Sequence, residues 1–77
     1  MERLDRFSKS EQRIILRKLD ILKNNPDHRS LRTQKLHRFD NLYESSISMD
    51  IRVIWQMEED AIIFHDVGRH DILKMYG

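Results

Sequence analysis

The sequence predicts an α+β fold in which an N-terminal helix, or a helical hairpin, packs on a three- to four-stranded antiparallel sheet. Apolar residues recur at helical spacing in the first third of the chain, and the last third contains two apolar runs of strand length, 51–57 and 61–67. Only Glu58-Glu59-Asp60 separates the two runs. β-branched and aromatic residues dominate both, as expected of adjacent antiparallel strands. At 77 residues, the chain is predicted to be a single domain spanning 1–77.

The predicted helix has a recognisable start and end. Ser8-Lys9-Ser10-Glu11 matches the capping-box spacing, in which a serine hydroxyl and a glutamate carboxylate each accept a backbone N–H. Asn24-Asn25-Pro26 ends the helix, because the residue before a proline is driven out of the helical region. Residues 1–7 look like the end of an earlier helix. Between these points runs an apolar stripe formed by Ile15, Leu19 and Leu22 and widened by Ile14 and Ile21.

The middle of the chain predicts a loop and one or two further strands. The segment 27–35 is polar and basic, with Leu31 and Leu36 as anchors onto the core, and 34–37 is expected to pair as a short strand. Asp40-Asn41 is a turn signal. Residues 43–49 alternate as a half-exposed strand, which is expected to form an antiparallel meander with the two apolar runs. Its core face would carry Tyr43, Ile47 and Met49, and its solvent face Glu44, Ser46 and Ser48. The segment 71–77 is long enough for one turn or a strand extension.

Composition excludes several classes of protein. The chain has no cysteine, so it has neither disulfides nor a thiolate metal site. No apolar run approaches the ~18 residues of a membrane span, and the polar N-terminus does not resemble a signal peptide. Two glycines are too few for a glycine-rich phosphate loop. We therefore expect a soluble, cytoplasmic protein that makes no membrane contact.

The charge is unevenly distributed although the net charge is only +1. Residues 9–38 contain nine basic and three acidic residues, a balance of +6, whereas 39–66 contain one basic and seven acidic residues, a balance of −6. The basic segment is either a solvated helix face or a surface for nucleic acid or an acidic partner.

A candidate catalytic site lies at one end of the predicted hairpin. Arg52 near the start of one strand and His70 just past the end of the other would meet at the same rim. Histidine titrates near neutral pH and suits acid–base work, and arginine binds phosphate oxygens through a planar fork. With Asp50 and Lys35 nearby, these residue types fit metal-independent cleavage of RNA. The alternatives are a structural histidine, an edge ion pair between Arg52 and Asp50, or a metal site built from His65, Asp66, His70 and Asp71.

Several segments together resemble the RelE/ParE superfamily of toxin–antitoxin toxins, and the RelE and YafQ-like mRNA endonucleases in particular. The resemblance covers about residues 19–76. It rests on the helix and its Asn-Pro stop, and on the segments Ser30-Leu31-Arg32-Thr33-Gln34-Lys35-Leu36, Leu42-Tyr43-Glu44-Ser45-Ser46-Ile47, Asp50-Ile51-Arg52-Val53-Ile54-Trp55 and Val67-Gly68-Arg69-His70-Asp71.

The resemblance implies a toxin that cleaves mRNA in the ribosomal A site, needs no cofactor or metal, and is neutralised by a cognate antitoxin. Position by position, it assigns acid–base chemistry to His70 and Asp50, and phosphate contact to Arg52. A C-terminal aromatic catalytic position falls on Tyr76, or on Lys74 in the YafQ-like alignment. The expected catalytic residues are therefore His70, Asp50, Arg52 and Tyr76, and the expected RNA-binding residues are Lys35, Arg69 and Arg32.

The chain also departs from the family pattern. Gln34 and Ser46 stand where YafQ-like proteins have histidines, and Ser45 and Ser46 replace the lysines of RelE. The usual first strand and most of the first helix are lacking, as in a truncated copy, a misassigned start or a divergent form. These departures favour the alternative of a non-catalytic binding module, either a gyrase inhibitor or a degenerate toxin that only engages an antitoxin.

Overall fold

The computed structural model describes residues 2–76, with side chains from Leu4 onward. The predicted α+β class is confirmed: a helix precedes a four-stranded antiparallel sheet and a short C-terminal helix. The sequence predicted either one helix or a helical hairpin at the N-terminus. The described residues form a 3₁₀ turn followed by one helix. In chain order the elements are the 3₁₀ turn Glu2–Arg6, α1 Lys9–Asn24, a 3₁₀ turn Arg29–Leu31, β1 Gln34–Lys35, β2 Leu42–Ser46, β3 Ile51–Glu58, β4 Ala61–Arg69, a 3₁₀ turn His70–Ile72 and α2 Leu73–Tyr76.

Helix α1 begins and ends where the sequence predicts. The backbone N–H of Glu11 donates to Ser8 Oγ at 3.1 Å, and the backbone N–H of Ser8 donates to Glu11 Oε1 at 3.0 Å, which completes the capping box. The backbone N–H of Asn25 donates to the carbonyl of Ile21 at 2.7 Å and closes the last turn. The predicted core stripe of Ile15, Leu19 and Leu22 is buried, whereas Ile14 is 38% exposed and lies beside the core rather than in it.

The four strands follow one another in the sheet in the order β1-β2-β3-β4, and each pair is antiparallel. The predicted meander of β2, β3 and β4 is thus confirmed, and the short strand predicted at 34–37 is β1. Strand β3 has a neighbour on each side, which explains its long apolar run. Two rows of this sheet position the candidate site: Glu44, Ile54 and Asp66 pair across the sheet, and so do Ser46, Arg52 and Gly68.

The sheet face that meets α1 carries the main core. Tyr43 stacks on Trp55 with 4.7 Å between ring centroids, and Trp55 Nε1 donates to the buried Ser45 Oγ at 2.9 Å. This hydrogen bond satisfies the one polar atom of the tryptophan ring in an otherwise apolar layer. The core is completed by Phe7, Ile15, Leu19, Leu22, Leu31, Ile47, Ile51, Val53 and Val67.

The C-terminal turns cover the opposite face of the sheet. Gly68 leaves room for them, since a Cβ at this position would lie only 2.9 Å from Ile72 Cδ1. Tyr76 donates to Asp66 Oδ2 at 3.5 Å, and its ring lies 6.2 Å from that of Phe39. Ile54, which points to this side, is completely buried. The sequence predicted a single turn or a strand extension for this segment, whereas the structure has two successive turns, the 3₁₀ turn and α2, which cover this face of the sheet.

Two predictions for the strand at 43–49 are wrong. Strand β2 ends at Ser46, and Met49, expected on the core face, is 95% exposed. The chain turns because Ser48 Oγ accepts the backbone N–H of Ile51 at 3.2 Å. Glu44, expected in solvent, is only 8% exposed. The alternation of the strand is as predicted, but its polar face lies on the covered side of the sheet.

Replacing Leu19 with alanine tests the assignment of the α1 core stripe. Because Leu19 is 8% exposed within the main core, Leu19→Ala is expected to lower the free energy of unfolding by ~2–5 kcal/mol. Urea denaturation of both proteins measures the difference, and Leu16→Ala is the control because Leu16 is 55% exposed on the same helix. A cost for Leu19→Ala no larger than that for Leu16→Ala would contradict the core assignment.

Candidate functional site

Arg52 and His70 lie at the same end of the sheet, as the hairpin argument predicts. Arg52 pairs with Gly68 in the β3–β4 ladder, and His70 begins the 3₁₀ turn directly after β4. Both residues are close enough to Glu44 for their charges to act on its carboxyl group. The structure therefore brings a guanidinium, an imidazole and a carboxyl group together on the sheet face opposite α1.

Arg52 is held mainly by backbone carbonyls. Its Nη1 donates to the carbonyls of Ser48 at 2.6 Å, Met49 at 3.1 Å and Ile51 at 3.3 Å. Its Nε lies 3.8 Å from Glu44 Oε2. Among residues 2–76, none accepts a hydrogen bond from Nη2. Nη1 of the guanidinium thus fixes the β2–β3 loop, and the N–H groups of Nη2 remain available to donate hydrogen bonds to a ligand.

Glu44 is the site residue that the sequence analysis missed. Burial raises the pKa of its carboxyl group, and the positive charges of Arg52 and His70 oppose that rise. Its Oε2 is buried and has no hydrogen-bond partner among the described residues. The sequence contained one usable signal: if Ser46 pairs with Arg52, Glu44 is the diagonal neighbour of Arg52 on the same face.

Asp50 and Arg69 form a different cluster from Arg52 and His70. Arg69 Nη1 donates to Asp50 Oδ2 at 2.9 Å and to Glu11 Oε2 at 2.7 Å, and Nη2 donates to Glu11 Oε1 at 3.1 Å. The guanidinium also lies 5.0 Å from the centre of the Phe7 ring. Its hydrogen bonds lower the pKa of Glu11 to about 2 and raise the pKa of Arg69. These contacts join the start of α1 to the end of β4 and to the β2–β3 loop, which gives Asp50 and Arg69 a structural role.

The other residues singled out in the sequence have separate surroundings. Lys35 is exposed on the edge strand β1, opposite Tyr43. Tyr76 donates to Asp66, as described above, and packs near Phe39. His65, predicted to be structural, hydrogen-bonds Gln56 Oε1 through Nε2 at 2.7 Å.

An open pocket of about 330 Å³ lies beside Arg52. Two arginines and three serines provide most of its wall, so its chemistry suits an anion with several oxygen acceptors. No group of three or more His, Asp or Glu side chains in the described part of the chain is placed to hold a metal ion. The residues that line the pocket are Ser30, Arg32, Ser46, Ser48, Met49 and Arg52.

No protein-family model matches the chain, and searches of curated proteins and of solved structures also give no match. Within residues 2–76, none of the helices has both the length and the apolar character needed to cross a membrane. The site must therefore be interpreted from its own chemistry.

The pH dependence of stability tests the burial of Glu44. Its pKa is raised in the folded protein, so folding favours the protonated form, and the associated stability is lost as the pH rises from about 4.5 through the raised pKa. We expect the free energy of unfolding of the wild type to fall over this interval relative to that of Glu44→Gln, which keeps the shape but does not titrate. Urea denaturation at a series of pH values measures this difference.

The matched control for Glu44→Gln is Glu58→Gln, which removes one negative charge from an exposed position at the end of β3. Parallel pH profiles for the wild type and Glu44→Gln would show that the carboxyl group is not buried as described.

Proposed function

We propose that this chain is the toxin of a toxin–antitoxin pair with a RelE/ParE-like fold, and that it cleaves mRNA on the ribosome without a metal ion. The observation that carries the proposal is the convergence of Arg52 and His70 on one sheet face beside a pocket lined by cations and hydroxyl groups. The α+β architecture and the sequence resemblance described above support it further. The cytoplasm is the compartment in which such a protein would meet translating ribosomes.

The proposed reaction is attack of a ribose 2′-oxygen on the adjacent phosphorus. The P–O2′ bond forms, the P–O5′ bond breaks, and the products are a 2′,3′-cyclic phosphate and a 5′-hydroxyl. The 2′-hydroxyl loses a proton and the departing 5′-oxygen gains one; His70 makes one of these transfers, and solvent water makes the other. The Nη2 donors of Arg52 stabilise the negative charge that grows on the phosphate oxygens. The reaction requires no change of oxidation state and no co-reactant.

Glu44 takes over the supporting role that the sequence assigned to Asp50. Asp50 is bonded to Arg69, whereas Glu44 lies beside Arg52 and within electrostatic reach of His70. Glu44 therefore lies in the same electrostatic environment as the guanidinium and the imidazole that the proposed reaction uses. Since Glu44 is buried, we assign it a positioning and electrostatic role rather than direct contact with RNA.

A second candidate is a non-catalytic RelE/ParE-like module that inhibits gyrase or only engages an antitoxin. The contacts of Asp50 and Arg69 with each other favour it, because they leave two expected site residues engaged in holding the fold. The serines at 45 and 46, where RelE has lysines, favour it as well. In this case the basic outer face of α1 is the main functional surface.

Substitution of His70 tests the enzymatic proposal. His70→Gln is expected to lower ribosome-dependent cleavage by ~10²–10⁴, the usual cost of losing an acid–base group, while the melting temperature stays nearly unchanged. Arg52→Ala should also weaken cleavage, although it frees the β2–β3 loop as well. Primer extension on mRNA translated with and without the protein measures cleavage, and His65→Gln is the control for loss of an imidazole. Wild-type cleavage by His70→Gln, or no cleavage by the wild type, would falsify the enzymatic proposal.

The salt dependence of partner binding tests the role of the α1 surface. Arg13, Arg17 and Lys23 are exposed on this helix, and an acidic antitoxin segment should bind there through charge pairs that salt screens. We therefore expect affinity for the protein encoded beside this chain to fall as NaCl rises, and the joint substitution of Arg13 and Arg17 with glutamine to flatten that dependence. Substituting Arg38, which is exposed outside α1, should leave it unchanged. Calorimetry measures both, and salt-independent association would exclude this surface as the contact.

A further inference from the structure

The β2–β3 loop, residues 47–50, presents a single apolar side chain at the rim of the candidate site. Met49 is 95% exposed, the most exposed of the large apolar side chains described. The loop beneath it is held on both sides: Arg52 Nη1 donates to the carbonyls of Ser48 and Met49, and Ser48 Oγ accepts the backbone N–H of Ile51. An exposed methionine on a loop fixed by a half-buried arginine is a preformed apolar contact point.

Three polar groups with no hydrogen-bond partner among the described residues line the pocket beside Met49. They are the guanidinium of Arg32, the hydroxyl of Ser46, and Nη2 of Arg52. Ser46 and Arg52 are cross-strand partners, so their side chains emerge side by side from the same face. The other serines of the pocket wall are already engaged: the Ser30 hydroxyl bonds His28 Nδ1 at 2.8 Å, and Ser48 acts within its own loop. The free groups can donate several hydrogen bonds, and two of them carry positive charge.

The backbone of Arg32 supports a role for its side chain in binding. It has φ 46° and ψ 50°, a left-handed conformation that glycine or asparagine adopts with less strain than arginine. An arginine in this conformation at the wall of a pocket is a local conflict of the kind that occurs at functional sites.

We propose that the pocket and the β2–β3 loop form a subsite for one nucleotide of single-stranded RNA. The phosphate binds to Arg32, Ser46 Oγ and Arg52 Nη2, and the base of the same nucleotide lies against Met49. The cations and the hydroxyl select an anion, and the adjacent methionine selects an anion that carries a flat apolar group. This inference rests on the proposed function, because it states how the RNA is held next to His70.

The subsite should not discriminate among bases. A thioether is a poor hydrogen-bond acceptor and has no donor, so its contact with a base is mainly dispersion. Every base has a face that such a contact can use. Met49 therefore contributes affinity and position, and its contribution should be similar for the four bases.

Binding of a fluorescent 2′-O-methyl-RNA heptamer tests the subsite without cleavage, since this RNA has no 2′-hydroxyl to attack phosphorus. Arg32→Asn suits the left-handed backbone and should remain folded, which circular dichroism checks. It is expected to weaken binding and to reduce the slope of log K against log salt by about 0.7, the value for one phosphate contact on a single strand. Ser46→Ala should weaken binding of all sequences alike.

Met49→Ala is expected to weaken binding of the four homopolymers by a similar factor, roughly two- to tenfold, and to leave the salt slope unchanged. The matched controls are Arg29→Asn, on the neighbouring 3₁₀ turn outside the pocket, and Met75→Ala, a methionine 64% exposed on α2. Both controls should bind as the wild type does.

The outcomes separate this inference from the proposed function. Equal binding by Arg32→Asn, Met49→Ala and their controls, or no binding by the wild type, overturns the subsite even where His70-dependent cleavage on ribosomes is observed. The expected binding pattern together with a wild type that cleaves no translated mRNA supports the subsite and refutes the nuclease.

Discussion

Strand β3 is hydrogen-bonded along both edges and covered on both faces, and the position of every other element follows from its register. On the α1 side it contributes Val53 and Trp55 to the main core. On the other side Ile54 is buried beneath the C-terminal turns. If β3 slipped by one residue against its neighbours, its side chains would change faces. Val53 and Trp55 would then leave the core on the α1 side, and Arg52 would be buried in that core. The same constraint that specifies the fold therefore fixes which face carries the candidate site.

Arg52 links that fold to the proposed chemistry. It is the one basic residue in the acidic segment 39–66, and its Nη1 holds two carbonyls of the loop that enters β3. A guanidinium fixed in this way loses less conformational freedom on binding a phosphate than a free surface arginine does. When ionised, Glu44 beneath it supplies a partly compensating charge, and the partial burial of the pair keeps the interaction less screened than at the surface. The arrangement explains why a carboxyl group is tolerated in a covered position without a full set of hydrogen bonds.

The sequence predicted features that depend on neighbouring residues, but it did not predict which side chains are buried or paired by distant parts of the chain. The capping box, the end of α1 at Asn24 and the three-strand meander depend on neighbouring residues and on period-two or helical spacing, which the chain displays directly. The burial of Glu44 depends on packing between distant parts of the chain, which no spacing in β2 reveals. The position of Met49 depends on a turn in which the Ser48 hydroxyl accepts the backbone N–H of Ile51. The alternating pattern of the sequence gives no sign of this turn, so it predicted a strand that continues beyond the true end of β2. The ion cluster of Arg69 joins residues 58 positions apart, beyond the reach of any local pattern.

Arg69 and His70 are consecutive in the chain but have different roles: Arg69 holds elements of the fold together, whereas His70 belongs to the candidate site. Arg69 ends β4 on the α1 side, where Glu11 and Asp50 share its guanidinium and Phe7 lies beneath it. The chain then enters the 3₁₀ turn, and the charge of His70 acts on Glu44 on the opposite face. Because the alternation of a strand directs neighbours to opposite faces, a basic residue next to the candidate histidine need not belong to the same site. Arg69, which the sequence analysis expected to bind RNA, therefore lies outside the pocket beside Arg52, and the second cation of that pocket is Arg32.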